Sequence, residues 1–197
     1  MSKKLLLLTM AKCISFFVIM IIMILTGPKI HAKEFESAIY TQYVGEVTSA
    51  FLKEMYKEYG FECGASGGMM PFDVEEISVS LVAYQSATVE QARELEIKTT
   101  ERFAQIINAH EKIRPFLREY PFPSSQVDVS IAFEKPKKNK TSLGNDVFFV
   151  FQAKNKIFYK AKNPDNPYVF KAIKDEPYEE ALKIVKANTI QSNKPKN

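Results

Sequence analysis

Between Thr88 and Tyr120, side chains that suit a buried stripe return every three or four residues: Ala92, Leu95, Thr99, Phe103, Ile106, His110, Ile113, Leu117 and Tyr120. That spacing is one face of a helix with 3.6 residues per turn. Thr88, followed three residues later by Gln91, makes a capping box at its start, and Pro115 predicts a kink or break near its end. From Val89 to Arg114 such a helix would run about 40 Å, and its stripe needs a sheet to lie on. Glu34–Tyr59 carries a second row, Phe35, Ile39, Tyr43, Val47, Phe51, Met55 and Tyr59, flanked by Tyr40, Val44, Leu52 and Tyr56. Gly60 is placed to close that helix with a left-handed cap.

Other stretches alternate with a period of two. Ile77, Val79, Leu81 and Ala83 face away from Ser78 and Ser80, and Val127, Val129, Ile131 and Phe133 face away from Asp128, Ser130 and Ala132. Both read as strands with one wet face, and with the helix between them they make a crossover unit. Val147–Ala153 is apolar on both faces, so it is either central or an edge seeking a partner. A tight turn at Lys154-Asn155 would pair it with Ile157–Ala161. Tyr168–Ile173 adds a short last strand. Asp175 or Glu176 then caps a final helix with Pro177 in its first turn. Phe61–Pro71 reads as an irregular glycine-rich connection and Lys135–Asp146 as a polar loop. The expected fold is α+β: a mixed or antiparallel sheet of four to five strands with a long central helix and two flanking helices, in the order α-β-α-β-β-β-α. The helices should share one face, because the first two strands keep polar faces.

Charge changes this picture at the amino terminus. The chain has 27 Lys+Arg against 23 Asp+Glu, a formal +4, and residues 1–32 contain Lys3, Lys4, Lys12 and Lys29 with no acid. With the apolar run Ile14–Leu25 and Ile30-His31-Ala32, they predict a signal peptide over 1–32, cleaved after Ala32. The alternative is an uncleaved membrane anchor, with Leu5–Ala11 joining the span and Lys12 snorkelling. Residues 33–190 then form a single α+β domain, 191–197 a disordered tail, and the protein is secreted or periplasmic. The remaining chain is charge-balanced, so the basic isoelectric point is no argument for a nucleic-acid partner. Its charge is divided: residues 33–134 hold 9 basic and 17 acidic side chains, residues 135–197 hold 14 and 6. Either the halves attract each other within one fold, or the second presents a basic surface to an anionic partner.

Catalytic signals are sparse. Gly64-Ala65-Ser66-Gly67-Gly68 has the letters of a nucleophile elbow, but here a helix enters and a strand leaves, the reverse of the order that projects the serine. Cys63 follows the carboxyl end of a helix, where the dipole disfavours a thiolate. Its only imidazole partner after cleavage is His110. A small exported hydrolase or thiol enzyme using Cys63 or Ser66 with His110 is therefore the alternative function. No metal-ligand spacing and no cofactor motif is present. The primary expectation is an exported non-catalytic binding or structural module at a cell envelope or surface. Lys135, Lys137, Lys138 and Lys140, with Lys154, Lys156, Lys160 and Lys162, would meet an acidic protein or an anionic envelope component. Association between copies could run through Val147–Ala153 or through Tyr40, Tyr43, Tyr56 and Tyr59.

Overall fold

The computed structural model describes residues 29–134, 146–166 and 169–192. The chain divides into two units, Met1–Thr41 and Gln42–Asn197. Of the first, only residues 29–41 are described, as the opening turns of helix α1 (Lys29–Tyr59). The second unit holds the rest of α1 and everything after it: β1 (Glu62–Met69), β2 (Glu76–Ala83), α2 (Val89–Ala109), β3 (Val127–Phe133), β4 (Phe149–Ala153), β5 (Lys156–Lys162), β6 (Phe170–Pro177) and α3 (Tyr178–Ser192). Two 3-10 turns, Arg114–Phe116 and Ser124–Gln126, lie between α2 and β3.

The strands form one mixed sheet in the order β1-β2-β3-β4-β5-β6. Only β2 and β3 run parallel, joined through α2, and every other neighbouring pair is antiparallel. The α+β class and the crossover unit are thus present. The strand count is six, not four to five, because β1 forms where an irregular connection was expected. Its sequence, ECGASGGM, has no alternation to read, and all eight residues are exposed. What holds it is backbone pairing to β2, which small side chains permit at close range. A Cβ on Gly68 would fall well inside contact distance of the Glu76 carbonyl oxygen.

One face of the sheet is buried. Ile77, Val79, Leu81, Val127, Val129, Ile131, Val150, Ile157 and Tyr159 point into a core shared with α2. Phe103 of α2 stacks on Phe51 of α1 at 4.3 Å between ring centres, both fully buried, so α1 forms a further layer over α2. Gly60 ends α1 at φ 71°, as its position required. The Thr88–Gln91 capping box is formed in both directions. The hairpin between β4 and β5 turns through Lys154 and Asn155, both left-handed, as a two-residue hairpin turn needs.

Three local expectations are corrected. Helix α2 stops at Ala109 rather than continuing to Arg114, and His110 is extended. The Asn108 side-chain amide donates to the Phe122 carbonyl (2.9 Å) and accepts from its N–H (2.7 Å), holding the returning chain against the last turn. Ile113 is then buried from a turn, while Tyr120 is exposed. The buried face of α2 is also rotated: Leu95 and Ile106 are half-exposed, and Arg93, Glu96 and Thr100 are buried instead. Finally, β6 runs to Pro177, so neither Asp175 nor Glu176 caps α3; Glu176 points into the core from the strand.

The register at β1 gives a direct test. Gly68→Val should lower the denaturation midpoint by the equivalent of about 1–3 kcal/mol, since backbone must shift to admit the side chain. Gly67→Ala, whose Cβ would meet only Ser78 Oγ at 3.6 Å, should stay within about 0.5 kcal/mol of the parent. Equal effects of the two substitutions in urea titrations would show that β1 is not docked in this register.

Candidate functional site

Two features of the sheet stand out chemically: polar groups buried on its covered face, and a mixed aromatic and hydroxyl surface on its other face. On the covered face, Arg93 of α2 grips Glu176 of β6 with both ends of its guanidinium, Nε to Oε1 at 2.6 Å and Nη2 to Oε2 at 3.0 Å. Tyr159 of β5 donates to the same carboxylate at 2.5 Å and Lys174 at 2.8 Å. Burial alone would raise the Glu176 pKa, but these donors outweigh it and hold the carboxyl at about 2. Nearby, Glu101 accepts from Tyr178 of α3 (2.9 Å) and from Ser124 (2.7 Å). These bonds fasten α2, β6 and α3 to one another. Glu96 differs. It is fully buried with no side-chain donor on its carboxylate among the described residues, and burial, reinforced by the charge of Asp128 and only partly opposed by the Gln152 backbone, pushes its pKa well above the ordinary value.

On the opposite face the described residues supply no helical cover, and most of its side chains are half-buried or exposed. Following partners across the strands, Ala65, Ser80, Ser130, Phe151, Phe158 and Asp175 form one continuous row from β1 to β6. The adjacent row is Val82, Ala132, Phe149, Lys160 and Ala172. On the β4–β6 side the rings form a chain of contacts: Phe158 on Phe151 (5.2 Å), Phe151 with Phe149 (5.3 Å), and Phe170 against both Phe149 and Phe148. Lys160 Nζ lies 5.6 Å from the Phe158 ring centre and Lys162 Nζ 4.1 Å from that of Phe148. Phe170 is 49% exposed and the other four rings are half-buried.

On the β1–β3 side the same face sinks into a depression of about 270 Å³, lined by Ala65, Ser66, Gly67, Ser78, Val79, Ser80, Asp128 and Ser130. It exists because β1 offers only glycine, alanine and serine beside the hydroxyls of β2 and β3. Ser80 and Ser130 share a 2.6 Å hydrogen bond, and Ser130 is 9% exposed. Burial, with the charge of Glu76, raises the Asp128 pKa.

The site residues expected from sequence are dispersed. Ser66 is in β1 and borders the depression, and Cys63 is a free, exposed thiol at the start of the same strand. His110 lies elsewhere in the contact network, where its Nε2 meets Glu46 at 3.1 Å and its ring meets Tyr43 at 5.8 Å. Neither Cys63 nor Ser66 is among its hydrogen-bond partners. Lys154, Lys156, Lys160 and Lys162 lie together on the hairpin, whereas Lys135, Lys137, Lys138 and Lys140 fall outside the described residues. Val147–Ala153 has no free strand edge in β4, which is paired on both sides; only its uncovered face is available. Of the four tyrosines of α1, Tyr40 is buried, Tyr43 and Tyr59 are half-buried, and Tyr56 is 66% exposed. Sequence reading missed the aromatic row, although period-two spacing of Phe149 and Phe151 was its visible trace. Among the described residues, no group of three or more His, Cys, Asp and Glu is arranged to hold a metal, and no helix is long and apolar enough to cross a membrane.

Comparison of the chain with protein families, with curated proteins and with solved structures finds no match.

The two buried glutamates should respond oppositely to pH. Glu96, its folded pKa raised, contributes stability that is complete below pH 4.5 and lost as pH rises through the folded value, at about 1.4 kcal/mol per unit. Glu176, its folded pKa lowered to about 2, contributes about 3 kcal/mol above pH 4.5, lost as pH falls through about 2. In a pH series of urea titrations, Glu96→Gln should gain on the parent as pH rises above 4.5, and Glu176→Gln should lose about 3–5 kcal/mol at pH 7. Parallel profiles for the parent and Glu96→Gln would refute the first assignment.

Proposed function

We propose that this protein is an exported, non-catalytic binding module whose working surface is the uncovered face of the sheet at β4, β5 and β6, and that it takes an anionic component of a cell envelope. The observation that carries this reading is where the charges of the basic half go. Its carboxyl-terminal lysines were expected either to neutralise the acidic half or to meet an outside partner. Within the described residues, Lys156 pairs with Asp175 and Lys174 with Glu176, both inside the basic half. Among the described residues, the buried ion pair between the halves has the reverse polarity, Arg93 from the acidic half with Glu176 from the basic half. No carboxylate of the acidic half is within ion-pair distance of Lys154, Lys160, Lys162 or Lys171 among the described residues.

Two of these cations sit over phenylalanine rings on the uncovered face. Such a surface combines apolar area with fixed positive charge at low desolvation cost, and favours a partner that is anionic and has an apolar or C–H-bearing face. The alternative, a thiol or serine enzyme, needs His110 within about 2.6–3.2 Å of Cys63 or Ser66. His110 is occupied with Glu46 and Tyr43 instead. Export is proposed from the basic and apolar residues 1–32, and places the surface where an envelope component can reach it.

Two measurements test this reading. Mass spectrometry of the protein from its source should find an amino terminus at Lys33; an intact Met1 would sink cleavage and favour an anchor. Binding to isolated envelope fragments should fall at least tenfold between about 50 and 500 mM salt, and several-fold in Lys160→Glu/Lys162→Glu at low salt. Binding that ignores both salt and the double substitution would end the proposal.

A further inference from the structure

The uncovered face carries more than an anion needs, and the surplus points to the class of ligand. We infer that the face is a carbohydrate platform: it binds an acidic polysaccharide whose chain runs across the strands, one sugar in the depression at Ser78, Ser80, Asp128 and Ser130 and the next over Phe151 and Phe158, with a carboxylate toward Lys160. This inference rests on the proposed function and names the ligand chemistry for the same surface.

Three observations carry it. The first is continuity. Ser80, Ser130, Phe151 and Phe158 are successive partners on β2, β3, β4 and β5, so the hydroxyl-lined depression and the aromatic surface lie along one row of the same face. At about 4.8 Å per strand, the row from Ala65 to Asp175 is about 24 Å long, room for an extended chain rather than a single small molecule. The second is the chemistry of the depression. It brings hydroxyls that both donate and accept, together with a carboxylate that only accepts when ionised. A ligand rich in hydroxyls satisfies both kinds of group. Ser80 and Ser130 share one hydrogen bond, which uses one of their two hydroxyl protons and leaves the other, with the remaining lone pairs, for such a ligand.

The third observation separates a sugar from a lipid headgroup or an acidic polypeptide. A phosphate surface laid on this face would bring negative charge against Asp128, and like charges at close range repel. A uronic acid can turn its C2 and C3 hydroxyls to Asp128 as donors while its carboxylate, on the far side of the ring, points away. Phe151 and Phe158, on neighbouring strands, stack face to face at 5.2 Å and 18°, with Phe149 and Phe170 beside them, so the aromatic part of the face is one continuous apolar ridge. Such a ridge offers the C–H face of a pyranose apolar area to bury, with weak C–H contacts added to it. Lys160, in the row beside Phe158 and partnered with Phe149, is two strands and one row from Ser130, about 12 Å, so its cation falls beyond the first sugar.

The test uses the exported protein labelled with 15N and four probes: tetragalacturonate, its neutral methyl ester, vesicles of phosphatidylglycerol with phosphatidylcholine, and polyglutamate. Tetragalacturonate should shift the amides of Ser80, Ser130, Phe151 and Lys160 together, and bind at least fivefold more tightly than the neutral ester. Ser78→Leu, which fills the depression from an exposed-face position, and Asp128→Ala should each weaken it at least fivefold while the rest of the spectrum and the thermal midpoint stay unchanged. Lys160→Gln/Lys162→Gln should remove most of the preference for the acid over the ester. If vesicles or polyglutamate bind in a lysine-dependent manner that Ser78→Leu leaves intact, and tetragalacturonate does not, the carbohydrate assignment is overturned and the anionic-partner reading stands. If none of the four probes binds, both fall.

Discussion

The structure depends on one constraint: its described helical cover lies on one side of a six-stranded sheet. The core forms where the alternating apolar residues of β2 to β5 meet α2, with α1 stacked beyond it through Phe51 and Phe103. A sheet covered on one side has to present its other side to water or to a partner. In most antiparallel sheets that side is simply polar. Here it carries serine and aspartate over β2 and β3, and it changes to phenylalanine and lysine over β4 and β5. The functional reading follows from that change of character within one surface.

Buried charge on the covered side explains how the edge of the sheet is held. Strand β6 is exposed at almost every position except Glu176, so it has little apolar area with which to dock. The fork of Arg93, completed by Tyr159 and Lys174, satisfies the Glu176 carboxylate with four donor contacts. Such a pair gains little over an apolar substitute but is costly to break singly, so it acts as a device of register as much as of stability. The strand that carries Glu176 also pairs with β5, and in this way α2 sets the position of the Phe158–Lys160 surface on the other side of the sheet. Glu96, in the same core, has no cation beside it among the described residues, and the Gln152 backbone does not offset its burial.

Several elements were legible in the residues because their signals are local. The capping box at Thr88, the stop at Gly60, the alternation of β2 and β3 and the turn at Lys154-Asn155 each depend on neighbours within a few positions. The misses have a common cause. Strand β1 is selected by what its partner allows, with glycine at the point of closest approach, so no pattern along the chain announces it. The end of α2 is decided by Asn108 reaching Phe122, fourteen residues on. The buried face of α2 turns toward Arg93 and Glu96 because Glu176, from a strand eighty-three residues later, receives the guanidinium.

For the candidate site the division is the same. Composition and patterning by themselves determined that the carboxyl-terminal part is rich in lysine, that no recognisable catalytic or metal motif is spelled out, and that the amino terminus resembles an export signal. These are properties of residues counted or spaced along one chain. Tertiary structure alone decided that Lys154, Lys160, Lys162 and Lys171 would have no acidic-half carboxylate at ion-pair distance among the described residues, that Phe149, Phe151 and Phe158 would share a face with Ser80 and Ser130, and that His110 would meet Glu46. Pairing across strands brings together residues that are up to eighty positions apart, and which of them meet is set by sheet register, a quantity with no local trace in the sequence.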